Sequence, residues 1–360
     1  MNSEALRWRI HRFFKKARKC AHPSFVYQRI RRMRGDSKKG LTSINLSLSA
    51  RCSADCIFCP LTKDQVFEKD FMPFEYIEKI INELTSSTFK KRHNIEVISV
   101  GENGDVFLHK DAVDILRYIR KRMPYVKIVV YTNFRMFTPE KIDAVIKEDL
   151  LDFIGCNIDG SSAENYFRVK KTDFDKVMKH LRYFMAVRKK ICRDIPILIE
   201  NLTYYNYVKA VYSHLGVLPK KVKSCDFNNV KDDYAEIEKL IRPLLSHPKD
   251  RFLRTVPIAW AEREASRVED HAQYTCPILD RIKKEAFITP SGIWYACCFD
   301  AYAELILGNV IKDSIQTIYE SKKRVELINR LENKKFVEIG SPCAAIDCCQ
   351  RIFDREEKCQ

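Results

Sequence analysis

Three cysteines, Cys52, Cys56 and Cys59, are spaced C-x3-C-x2-C directly after the alternating apolar segment Ile44-Asn45-Leu46-Ser47-Leu48-Ser49. A strand that runs straight into a loop of thiols must end where a metal group can sit. Three thiolates this close can bind three irons of a four-iron cube and leave the fourth iron without a protein ligand. Such cubes usually take four cysteines, so the missing ligand marks an open position for a small molecule. A structural zinc site would favour paired C-x2-C knuckles and complete four-coordination.

The chain has 360 residues, enough for one large domain and a smaller one. Its fourteen cysteines cluster, with only Cys156, Cys192 and Cys225 between residues 60 and 275. That is not a disulfide framework and points to local metal sites in a reducing compartment. No apolar run approaches the roughly eighteen residues of a membrane span. The N-terminus lacks the compact apolar region and cleavage site of a secretory signal, so a cytoplasmic location is expected.

Residues 1–40 carry thirteen Lys or Arg against two acids, which is most of the +16 net charge. Leu6, Ile10, Phe13, Phe14 and Ala17 fall on one helical stripe among these cations. A basic amphipathic arm of this kind can bind an anionic membrane surface through residues 1–35, placing the protein at the inner membrane face. It can also pack on the body of the protein, and nucleic acid is the least favoured partner.

Beyond the triplet, strand-like runs alternate with helical ones, the pattern of a parallel β/α architecture. Strands are expected at 43–50, Ile95–Val100, Val126–Tyr131, Leu151–Asn157, Ile195–Ile199 and Val222–Asn228. Helices are expected near 74–87, 110–122, 138–148, 173–190 and 231–246. The expected division is a basic arm over 1–40, a barrel over 41–246, a linker over 247–275 and a small α+β module over 276–360. In that module Ala286–Cys298 predicts a hairpin turning at Pro290-Ser291-Gly292, with a helix near 313–331 behind it.

Cys52-Ser-Ala-Asp-Cys56-Ile-Phe58-Cys59 resembles the signature of the radical S-adenosylmethionine (SAM) superfamily, with Phe58 in the aromatic slot before the third cysteine. The resemblance implies a partial (β/α)6 barrel with its chemistry at the C-terminal strand ends. It implies a [4Fe–4S] cluster whose open iron binds the amino and carboxylate groups of S-adenosylmethionine. One electron from an external flavodoxin- or ferredoxin-type donor then yields methionine and a 5′-deoxyadenosyl radical. Gly104-Asp105 resembles the Gly-Glu pair that binds the cofactor's amino group, with Gly101-Glu102 as a competing match. Thr132-Asn133 resembles the Thr-Asn-Gly after the third strand, with Phe134 where glycine is usual. Asn157 and Asp159 match the fourth strand end, which contacts the nucleoside, and either Arg168 or Lys170 answers to a frequent arginine.

Cys276 is followed by fifteen residues, Gly292, four more residues and Cys297, with Gly308-Asn309-Val310 after it. This resembles the SPASM and twitch extensions, which carry auxiliary clusters. The resemblance implies one auxiliary [4Fe–4S] cluster on Cys276, Cys297, Cys343 and Cys348, with Cys349 competing for the last place. Cys298, next to a ligand, is expected to point to the other face of the hairpin. The implied function is a radical SAM oxidoreductase-type enzyme that oxidises or epimerises a carbohydrate or glycolipid precursor. Alternatives are a maturase acting on a ribosomally made peptide and, from another class, a non-catalytic iron–sulfur scaffold or electron carrier.

Overall fold

β-branched residues concentrate in short runs separated by amphipathic segments, and each run becomes one strand of a single sheet. The computed structural model describes residues 40–57, 59, 61, 71–101, 103–201, 233–254, 276 and 278–344. The basic arm, Phe58, Glu102, Cys225, Cys348, Cys349 and the strand expected at 222–228 lie outside the described residues. In chain order the strands are β1 (Ser43–Leu46), β2 (Val97–Val100), β3 (Lys127–Tyr131), β4 (Phe153–Asn157), β5 (Ile197–Asn201), β6 (Arg251–Arg254), β7 (Glu285–Ile288), β8 (Ile293–Tyr295) and β9 (Ile306–Asn309). The helices are α1 (Phe74–Thr85), α2 (Ser87–Arg92), α3 (Ala112–Arg122), α4 (Pro139–Lys147), α5 (Ala163–Lys170), α6 (Phe174–Ile191), α7 (Tyr234–Ile241), α8 (Leu279–Lys284), α9 (Ile315–Tyr319), α10 (Lys322–Glu332) and α11 (Phe336–Ile339).

Among the described residues the strands form one sheet in the order β6-β5-β4-β3-β2-β1-β7-β8-β9. From β6 to β7 every pairing is parallel, and β8 and β9 close the edge antiparallel. The βα order with a parallel sheet is that of a partial barrel. Its two faces differ sharply. Ile44, Ile98 and Ile128 stand in register on one face, and Val130, Ile154 and Ile197 stand in register on the same face, all without exposed surface. Burying each such side chain contributes roughly 1.5–3 kcal/mol. The other face, toward the barrel interior, carries Asn45, Ser99, Tyr131, Asn157 and Glu200 among Val129, Phe153 and Leu198.

The helices cover the apolar face by the expected spacing. α1 buries Ile77, Ile80, Ile81 and Leu84 at i, i+3, i+4 and i+7. α6 starts at Asp173, whose carboxylate accepts from the Lys176 amide at 3.0 Å.

α5, α8, α11 and β9 lie outside the expected elements, and two further features differ from expectation. β6 lies inside the stretch expected to be linker. Its Arg-Phe-Leu-Arg sequence buries only Phe252, so no alternation announces it. Asp250 builds this edge instead, accepting from Arg188 through both guanidinium nitrogens at 2.7 Å and from the Ile197 amide at 3.0 Å. The helix expected near 313–331 is broken in two, because Ser321 caps the start of α10 by accepting from the Arg324 amide.

The hairpin turns where its sequence predicts. The Gly292 amide donates to the Thr289 carbonyl at 2.9 Å, and Gly292 has φ +80°, which favours glycine. β7 then hydrogen-bonds along β1, so the C-terminal module continues the barrel's own sheet.

Candidate active site

The cysteine loop begins at the C-terminal end of β1 and is clamped from the side by α5. The amides of Asp55 and Ile57 donate to the carbonyls of Lys170 and Val169 at 3.1 and 3.0 Å. These two bonds flank Cys56, and the Cys59 amide closes a turn onto the Cys56 carbonyl at 3.0 Å. Arg135 and Thr172 fix the next carbonyl, that of Ser53, at 2.5 and 3.1 Å. The last helical carbonyls of α5 are orphan acceptors by geometry, and here the loop amides satisfy them.

Burial, and after it the charge of Asp105, push the Cys52 thiol up to about 12. Burial pushes Cys56 up to about 11, against the downward pull of Lys170. To a lesser degree Cys56 and Cys59 also raise Cys52, and Cys59 raises Cys56. Thiolates there need a cation to hold them, which bound iron supplies. Among the described residues no three His, Cys, Asp or Glu side chains converge on the position of one metal ion. A donor set of three soft thiols spread around a loop suits a cube of irons, which is larger than one ion.

The strand ends around the loop are tied to it. Asn133, after β3, donates through its side-chain amide to the Cys52 sulfur at 3.4 Å and to the Ser53 hydroxyl at 3.1 Å. Phe134 follows with φ 65°, the conformation that favours the glycine usual there. Packing holds it: Phe134 is fully buried against Phe137 and Phe184, and His180 meets its carbonyl at 2.9 Å.

Gly104 has φ +66°, and a Cβ there would stand 2.3 Å from the Ser49 carbonyl oxygen and 2.6 Å from that of Arg51. The backbone therefore approaches the cysteine loop as only glycine allows. Asp105 is buried and serves inside the protein. Its carboxylate accepts from the Phe107 amide at 3.0 Å, the Thr132 hydroxyl at 3.2 Å and the Asn133 amide at 3.3 Å. Burial raises its carboxyl above the ordinary range, while these donors oppose that. Thr132 and Asp105 thus lock the ends of β2 and β3 together.

At the next strand ends Asn157 lies beside Glu200 in register. Burial, and then Asp159, raise the Glu200 carboxyl, while Asn157 donates to it. Asp159 pairs with Lys170 at 3.0 Å, with side chains 0% and 5% exposed. Arg168, the other match to the family's arginine, is half-exposed and paired with Glu164 at 2.7 Å. Cys156 faces the helix side, and burial pushes its thiol far up, as for an inert core side chain.

In the C-terminal module Cys276, Cys297 and Cys343 all border the main core, and no disulfide joins the described cysteines. Cys298 packs with Cys59 against the same small cluster of Leu61, Phe287, Tyr295 and Ala303, and accepts from Arg281 at 3.4 Å. It thus borders the cysteine loop. Two contributors escaped the sequence reading: Ser53, which anchors Asn133 and Arg135, and Asn103, whose amide reaches Tyr295 across the interior. Neither sits in a spacing pattern that could have singled it out.

Comparison with known proteins agrees with this arrangement. A family model described as "Radical SAM superfamily" matches residues 46–208, and one described as "Iron-sulfur cluster-binding domain" (SPASM) matches 276–349. Residues 46–208 thus match the radical SAM superfamily, and residues 276–349 match the SPASM domain. A radical SAM domain binds a [4Fe–4S] cluster and S-adenosylmethionine, and a SPASM domain binds auxiliary iron–sulfur clusters. A "UPF0026 protein" of Helicobacter pylori is 23% identical over 148 residues, which are 40% of this chain and 47% of that protein. The chain thus spans about half the length of the curated relatives it matches. The crystal structure of BtrN in complex with AdoMet and 2-DOIA shares the fold, with a TM-score of 0.51, 13% identity, and 84% of this chain and 91% of that chain covered. Streptococcus suis SuiB bound to precursor peptide SuiA gives a TM-score of 0.52 and 13% identity, covering 81% of this chain and 67% of that chain. Among the described residues no helix is long and apolar enough to cross a membrane.

Proposed function

We propose that this chain cleaves S-adenosylmethionine reductively and directs the resulting radical at a C–H bond of a hydroxyl-rich, carbohydrate-type substrate or glycolipid precursor, which it oxidises or epimerises. The observation that carries the substrate class is the interior face, where five strands contribute the polar residues Asn45, Ser99, Tyr131, Asn157 and Glu200 among apolar neighbours. These groups suit a ligand made of hydroxyls. When bound, the cluster and S-adenosylmethionine supply the one-electron cleavage and the hydrogen-abstracting radical.

The chain's own residues hold and exclude. Cys52, Cys56 and Cys59 carry the cluster, and Asn133 orients Cys52 through its 3.4 Å contact. The backbone at Gly104 supplies carbonyls for the cofactor's ammonium, since the Asp105 carboxylate is engaged with Thr132 and Asn133. Asn157 serves the nucleoside side by its match to the family, whose motif also assigns Phe58 to the site, while Asp159 is engaged with Lys170 instead. Glu200, a stronger base for its burial, takes the proton that a substrate hydroxyl loses on oxidation. Cys276, Cys297, Cys343 and Cys348 would carry one auxiliary cluster, which would accept the electron left on the substrate when it is oxidised, and an external one-electron donor starts the cycle.

A peptide substrate is the second reading, because the fold is shared with SuiB, solved with its precursor peptide. Anaerobic reconstitution, iron counting and a 5′-deoxyadenosine assay test the reaction. Dithionite-dependent 5′-deoxyadenosine is expected, and iron-loaded protein that makes none would point to a scaffold or electron carrier. Deuterium transfer from labelled nucleotide sugars, glycolipid precursors and peptides into 5′-deoxyadenosine separates the two substrate classes.

A further inference from the structure

The buried pair of Lys170 and Asp159 has no evident structural necessity. Taking both charges out of water costs several kcal/mol per ion, and apolar residues of similar volume often serve stability as well or better. Yet the two side chains are 5% and 0% exposed and 3.0 Å apart. Their position is fixed by backbone. The carbonyls of Val169 and Lys170 receive the Ile57 and Asp55 amides, one on each side of Cys56. The Lys170 stem therefore leaves α5 at the residue that is bonded to the cysteine loop. Its ammonium pairs with Asp159, and by its charge first and hydrogen bonding after it pulls the Cys56 thiol down against burial. Arg168, two residues earlier, points away to solvent and to Glu164.

We infer that Lys170 is a positioning and tuning residue, which donates to the Cys56 thiolate and raises the reduction potential of the cluster on the triplet, with Asp159 setting how far. The inference rests on the reading of the triplet as a cluster site. A donor and a positive charge at a ligand sulfur stabilise the reduced, more negative cluster and so raise its potential. Asp159 acts with the opposite sign, since it offsets the ammonium charge and holds part of its hydrogen bonding. The pair therefore sets two opposed changes at one sulfur.

The test is an EPR-monitored redox titration of the anaerobically reconstituted full chain, first without and then with S-adenosylmethionine. The signal that changes when S-adenosylmethionine is added identifies the radical-site cluster. Lys170→Met is expected to lower its midpoint without cofactor by at least a tenfold change in the reduction equilibrium, about 59 mV for one electron. Asp159→Asn is expected to raise it, and Lys170→Arg to stay near the wild type. A Lys170→Met protein with full iron and an unchanged midpoint overturns the inference. So does one altered only in S-adenosylmethionine affinity, because Lys170 would then serve the cofactor alone. If Lys170→Met takes up no iron, Asp159→Asn decides: a raised midpoint supports the inference and an unchanged or lowered one overturns it. Wild-type protein that binds no iron at the triplet defeats the functional reading itself, and the inference with it.

Discussion

The side-chain amide of Asn103 donates to the phenolic oxygen of Tyr295 across 3.1 Å, in the buried interior. Asn103 precedes Gly104 in the loop after β2, and Tyr295 ends β8, two residues before Cys297. One hydrogen bond thus links the loop after β2 to the hairpin of the second cysteine set. Tyr295→Phe is expected to cost about 1–3 kcal/mol, because it leaves a buried amide without its acceptor. Denaturant unfolding of Tyr295→Phe, Asn103→Ala and the double variant checks this. Additive losses would mean that the two groups are not coupled.

Alanine at position 104 is expected to fail for two reasons. The φ of +66° costs a side chain roughly 1–2 kcal/mol. The added methyl would also press on two backbone carbonyls of the cysteine loop, which have nowhere to yield. Gly104→Ala should fold less stably and lose 5′-deoxyadenosine formation. Wild-type turnover would show that the loop opens freely.

Replacing cysteines separates the two clusters. Cys56→Ala should abolish S-adenosylmethionine cleavage. Cys297→Ala should lose about four irons yet keep some uncoupled cleavage while product disappears. Iron analysis beside a 5′-deoxyadenosine assay reads both effects. Cleavage that survives Cys56→Ala would reassign the triplet.

His93 predicts a pH dependence of stability. Its Nδ1 accepts from the Leu41 amide at 2.9 Å, and its Nε2 meets Gln316 at 2.6 Å, so the buried ring is neutral and joins the start of β1 to α9. Burial lowers its pKa in the folded state, against the pull of Gln316. The unfolded chain therefore binds a proton that the folded chain refuses. Stability is full above the ordinary histidine value of about 6.5 and falls as pH drops below it, by at most about 1.4 kcal/mol per pH unit. Unfolding midpoints measured from pH 8 to pH 5 should fall on the acid side in the wild type and flatten in His93→Gln. Parallel profiles would remove His93 as the cause.

Local signals made much of this legible from sequence. The triplet after an alternating strand, the βα alternation and the Pro-Ser-Gly turn are each short-range patterns with one physical reading. What escaped depends on contacts between distant residues. β6 needs Asp250 and Arg188 more than its own side chains. Arg168 and Lys170 look alike in the chain, and only the packing of α5 against the cysteine loop buries one and exposes the other. Asp105 reads as a ligand group until Thr132 and Asn133 are seen to occupy it. No spacing could join Asn103 to a tyrosine in another module.

The seam between β1 and β7 bears on how such chains can be recombined. Four aligned residue pairs, Ser43 with Glu285 through Leu46 with Ile288, give β1 its second neighbour. A chain shortened before β7 would leave the strand that delivers the cysteines with a row of bare amides and carbonyls, a template for aggregation. Chimeras that exchange the C-terminal module between relatives therefore have to bring a strand of matching register as well as cysteines. A transplanted cluster without that strand would reach a barrel whose first wall is no longer held.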